Sequence, residues 1–151
     1  MARSIRRVLI LGAALALLLS TVSAASAGGR KVLDSTMTGL PVGNMLLNGL
    51  TGGGVPWSIE EGRVQLFADG RLHVEVEGLV VASSGINPVL TGGRAVVTCN
   101  NAPVATTDVF PFSSPDGDST IDTVVSLPAQ CLAPAVFFTN ATSRWFAVTG
   151  F

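Results

Sequence analysis

Between Arg63 and Glu77 the chain alternates apolar and polar residues with period two on both sides of Ala68-Asp69-Gly70, the pattern of a hairpin half in water. Because side chains in a strand point to opposite faces in turn, a one-residue slip would turn every apolar residue outward. A two-residue loop at Asp69-Gly70 sets Leu66 against His73 and Val64 against Glu75, mixing both faces. A three-residue loop, Ala68 to Gly70 with Gly70 left-handed, sets Leu66 against Leu72 and Val64 against Val74. It also places Gln65 against His73 and Arg63 against Glu75 on the wet face. The second register satisfies both faces and is the one expected.

Further along, short β-prone runs recur near every ten residues. They are Leu79–Ala82, Ala95–Cys99, Val104–Val109, Thr120–Leu127, Ala135–Phe138 and Trp145–Val148, separated by turn-rich segments such as Ser83–Pro88, Asn100–Pro103 and Ser113–Asp118. Seven or eight short strands without helical period predict an all-β domain over 57–151, a β-sandwich or Greek-key barrel. Residues 28–56 are rich in Gly, with Gly52-Gly53-Gly54 near their end, and read as an irregular arm partly packed on that domain.

The N-terminus carries the three parts of an export signal. Arg3, Arg6 and Arg7 are followed by the uncharged apolar run Val8–Leu19, and then by Ala25-Ser26-Ala27. The run is short for a spanning helix, which needs about 20 apolar residues. Cleavage after Ala27, loss of the 1–27 signal helix and a secreted, extracellular product are expected. The remainder carries six basic and ten acidic residues, a net charge of −4. That balance gives no electrostatic reason to bind nucleic acid or an anionic membrane. In an oxidising compartment, Cys99 and Cys131 have one intramolecular pairing available, and a disulfide is expected.

Catalytic constellations are scarce. The single histidine, His73, falls on the polar face of the hairpin, where a Ser-His-Asp triad has no wall to hold it. Glu75 and Glu77 read as a solvated face; with Glu60 and Glu61 they are the Glu candidates for an acid pair, which would have to meet across a cleft. No cofactor is implied. The acidic loop is the one metal candidate: Asp116, Asp118 and Asp122 place oxygens at close spacing, as calcium sites do, although turn chemistry explains the same residues. Asn140-Ala141-Thr142 is a glycosylation sequon. Trp57 and Trp145 are the candidate sugar platforms, but each begins an apolar strand and is expected in the core.

Gly53-Gly54-Val55-Pro56-Trp57, Asp69–Leu72, Gly78–Val81, Asn87-Pro88-Val89, Leu127–Pro134 and Trp145–Gly150 together resemble a group of small exported microbial proteins. The resemblance covers nearly all of 50–151, implies a secreted β domain with one disulfide, and carries no assigned activity. The hairpin from Gly62 to Leu79 is similar to one hairpin of the CHRD domain, without the His-x-His element that follows it there. The function expected is a non-catalytic β domain binding an extracellular or cell-surface component. A calcium- or carbohydrate-binding module and a hydrolase are the alternatives.

Overall fold

The hairpin forms in the expected register: Leu66 pairs with Leu72, Val64 with Val74, Gln65 with His73 and Arg63 with Glu75. Gly70 sits at φ +89°, where a Cβ would run into the Val125 carbonyl, so the turn requires glycine. The structure is a computed structural model and describes residues 29–150. The export signal expected over 1–27 and the expected cleavage after Ala27 lie outside the described residues.

In chain order the strands are β1 (Lys31–Gly39), β2 (Leu46–Leu47), β3 (Leu50–Thr51), β4 (Trp57–Ser58), β5 (Glu61–Phe67) and β6 (Arg71–Glu77). There follow β7 (Val80–Val81), β8 (Gly93–Cys99), β9 (Ala102–Thr106), β10 (Ser119–Val124), β11 (Ala135–Asn140) and β12 (Trp145–Thr149). Eight of them make one antiparallel sheet in the order β10-β6-β5-β1-β12-β11-β8-β9. The all-β domain thus takes the form of a single sheet curled into a half-barrel, with β10, one edge, in contact with β8, the strand next to the other edge. Two short ladders, β2–β3 and β4–β7, are appended.

The irregular arm expected at 28–56 is corrected in its first third: β1 stands in the middle of the sheet. Its residues Lys31–Thr36 pair with β5, and Met37–Gly39 pair with β12, so one strand joins the two halves. A bulge between Lys31 and Leu33 throws Val32 out of phase with Leu33, Ser35 and Met37, which hides the period in the sequence. The rest of the segment does pack on the domain. Trp145 Nε1–H donates to the Met45 carbonyl at 3.1 Å, and Asn48 Nδ2–H to Thr98 Oγ1 at 3.0 Å.

That covering explains a difference in pattern between the halves. Val136-Phe137-Phe138 in β11 and Trp145–Val148 in β12 are buried without alternation, because both faces are covered. Phe112, Phe146 and Trp57 stack on one side with Phe138 edge-on to Phe112, while Phe137 meets Trp145 edge-on. In β5 and β6, only Gly62, Val64, Leu66, Leu72, Val74 and Val76 are buried, and the other face is wet. Residues 79–82, expected as a buried strand, supply only the two-residue β7 after the buried Leu79. The strand expected at 104–109 begins and ends earlier, as β9. Its turn is Asn100-Asn101, both at positive φ, the geometry a two-residue hairpin loop needs.

Candidate functional site

Where β6 ends, the chain needs a partner for its last backbone groups, and the loop before β10 supplies them. Gly78 N–H donates to Asp118 Oδ1 at 2.9 Å, and Leu79 N–H to the Gly117 carbonyl at 2.9 Å. Gly117 lies at φ +83°, pressed against Leu79 too closely for a side chain. From the other side, Glu60 N–H donates to the Glu77 carbonyl at 3.1 Å. The loop of residues 83–92 is tied to the same corner, since Asn87 N–H donates to the Pro115 carbonyl and Asn87 Nδ2–H to that of Ser113.

These loops wall an open groove of about 1250 Å³. Glu60, Glu75, Glu77, Asp116 and Asp118 line it, and no Lys, Arg or His does, among the described residues. Between the acids lie apolar patches, including Val80, Ile86, Leu90 and Phe112. Ile86 and Leu90 are 47% and 84% exposed, so part of the apolar wall faces water. The groove therefore suits a ligand that is cationic and carries some apolar surface.

The acids are visible in the sequence, but their meeting is not. Glu75 and Glu77 read as one solvated strand face, and the Asp loop as a separate feature. What joins them is the pairing of β10 with β6, which puts Thr120 opposite Glu75 and Ser119 opposite Val76. Strand order between distant segments leaves no local mark in sequence.

The calcium trio is divided by the same pairing. Asp116 and Asp118 line the groove, and Asp118 already accepts the Gly78 N–H. Asp122 lies on β10, its Oδ1 2.6 Å from His73 Nδ1. Among the described residues no group of three His, Cys, Asp or Glu side chains is placed to hold a metal ion. His73 has a carboxylate partner, yet no hydroxyl or thiol hydrogen-bonds to it among the described residues, so the third member of a triad is missing.

Trp57 and Trp145 are 5% and 1% exposed and belong to the core, as expected. Trp57 stacks on Phe146 at 4.1 Å, so its ring face is taken and is no platform for a sugar. Asn140 is half-buried at the β11–β12 turn, where its Oδ1 accepts from Thr142 N–H, Thr142 Oγ1–H and Arg144 N–H. Cys99 and Cys131 are disulfide-bonded, with Cα atoms 5.0 Å apart, tying the end of β8 to the segment before β11. A structural disulfide is consistent with an extracellular protein. No helix among the described residues is long and apolar enough to cross a membrane.

Elsewhere on the wet face of the sheet and at its hairpin turn, charge is locally paired. The Lys31 ammonium, 2.7 Å from Asp34, holds that carboxyl below its usual 3.8. At Asp69, desolvation works upward, but hydrogen bonds from the Arg71 side chain and backbone outweigh it and leave the carboxyl below 3.8. Arg71 also lies 4.3 Å from the centre of the Phe67 ring, which fastens the turn of the β5–β6 hairpin. Comparison with protein-family models, curated proteins and solved structures gives no match.

Proposed function

We propose that this chain is an exported, non-catalytic β domain that binds a cationic extracellular or cell-surface component in the groove beside β6 and β10. The observation that carries this reading is the groove's one-signed lining: five carboxylates and, among the described residues, no basic side chain in the lining itself, Arg63 lying outside it opposite Glu75. Like charges gathered along a low-dielectric wall raise the local potential and draw in ligands of opposite sign. The signal pattern at 1–27 and the single disulfide support export.

The test is cosedimentation of the purified protein with insoluble cell-wall and polysaccharide preparations, over a salt series and with or without calcium. Retention at low salt that is lost when Glu75→Gln and Glu77→Gln are combined supports the groove. Retention that requires calcium and survives both substitutions would overturn it in favour of the Asp loop.

A further inference from the structure

The sheet has two edge strands, and they are built differently. In β9, Pro103 lacks an N–H and a bulge interrupts the pairing with β8 between Val97 and Thr98. Both are features that blunt an edge against further pairing. In β10, six consecutive residues pair with β6 without a bulge, and the strand contains no Pro, Gly or Lys.

The hydrogen-bond phase of β10 follows from one bond. Val125 N–H donates to the Gly70 carbonyl at 2.9 Å, just past the pair Val124–Arg71. In an antiparallel ladder, hydrogen-bonded residues alternate with residues whose groups point away. The odd-numbered residues of β10 therefore bond to β6, and the N–H and C=O of Thr120, Asp122 and Val124 point outward. No strand pairs with that side of β10 among the described residues, and the preceding segment covers it only at its start, where Ser113 N–H donates to the outward Asp118 carbonyl at 2.8 Å. Their side chains are exposed, Val124 by 67%. The groove opens at the N-terminal end of this edge, because Ser119 and Thr120 line it.

We propose that β10 is a docking edge, on which an extended basic segment of another extracellular protein is added to the sheet as a further strand. Its backbone pairs with Thr120, Asp122 and Val124, and its Lys or Arg side chains turn into the acid-lined groove. The inference rests on the groove reading above, and it adds the chemical form of the ligand. Strand addition supplies affinity through main-chain hydrogen bonds and selectivity through alternate side chains. On the groove side of an added strand, every second side chain would stand beside Thr120, with Glu75 one strand further in. Charge selects against a second copy of this chain as occupant, since two-fold pairing of β10 with itself would bring together Asp122 and the acid walls of both copies.

The probe is an alternating Lys-Thr octapeptide, titrated calorimetrically into the purified, disulfide-bonded protein. Two N-methylated forms, methylated at alternate residues in opposite phases, are titrated beside it, and spermine serves as a cation without a backbone. Strand addition predicts that one phase of N-methylation weakens binding about tenfold or more while the other leaves it nearly unchanged. Thr120→Pro, which removes an outward N–H and no bond to β6, should weaken the unmodified peptide to a similar degree. Equal binding by both methylated forms, with weakening by Glu75→Gln and Glu77→Gln, would overturn strand addition and leave the groove as a simple cation site. Failure of the octapeptide and spermine alike would overturn both readings. A dimer in the absence of peptide, abolished by Thr120→Pro, would assign the edge to a second copy and overturn the proposal. If Thr120→Pro does not fold, the two methylated peptides decide the matter alone.

Discussion

The half of the sheet made by β12, β11, β8 and β9 has its inner strands β11 and β12 covered on both faces and its exposed margin blunted, whereas the half made by β5, β6 and β10 is open on one face and along one edge. In the closed half, β11 and β12 are buried on both sides, a disulfide ties down the end of β8, and Pro103 blunts the margin. In the open half, a single inward row holds each strand, and the groove and the free backbone groups lie beside it. Stability and exposure are thus divided between two parts of one sheet. A surface that must stay available for pairing can be kept only if the rest of the domain holds it in place without its help.

Removing the staple should show the largest effect. Cys99→Ser with Cys131→Ser should lower unfolding free energy by about 3–4 kcal/mol in urea titration, on chain-entropy grounds. A loss well under 1 kcal/mol would mean that the closed half does not depend on its covalent tie. Next comes Ile121→Ala, which deletes the fully buried inward residue of β10. Its expected cost is about 2–3 kcal/mol, with faster amide exchange in β10 than in β11. Equal acceleration in both strands would erase the distinction between the halves. Gly70→Ala forces a side chain into a left-handed turn against Val125 and should cost about 1–2 kcal/mol.

Glu75→Gln and Glu77→Gln together should change stability by less than about 0.5 kcal/mol while removing the salt-sensitive part of ligand binding. A large stability change would make these acids structural. The smallest effect is on pH. Asp34 and Asp69 titrate below 3.8 in the folded state, so the stability they contribute is present above that value and fades as pH falls through the lowered pKa. Asp69→Asn should flatten that acid limb slightly, as followed by melting temperature between about pH 5 and 2.5.

How much of this was legible depended on whether the determining contact was local. The β5–β6 register could be read from Arg63–Glu77, because one wet face and one dry face allow a single solution. The turn after Cys99, expected over Asn100–Pro103 and formed by Asn100-Asn101, and the buried Trp57 and Trp145 were likewise marked by their own neighbourhoods. Strand β1 was hidden because a bulge and the small residues Ser35, Thr36 and Thr38 left too little apolar period to see. The groove was illegible for another reason: its acids come from Glu60, from β6 and from the 113–118 loop, and only tertiary pairing assembles them. Asp122 was grouped with Asp116 and Asp118 by spacing, but a strand begins between them and sends it to His73.

The divided pairing of β1 also sets the order in which the molecule can be made. The first described strand meets β5 across residues 40–60, but its other partner is the last, with Met37 against Thr149. Contacts so far apart along the chain are slow to form, because a long loop must close before they contribute. The seam between the two halves therefore stays unsewn until the whole sequence through β12 is present. A nascent chain of this topology can zip β1 onto β5 early, but its sheet is one piece only once β12 has emerged.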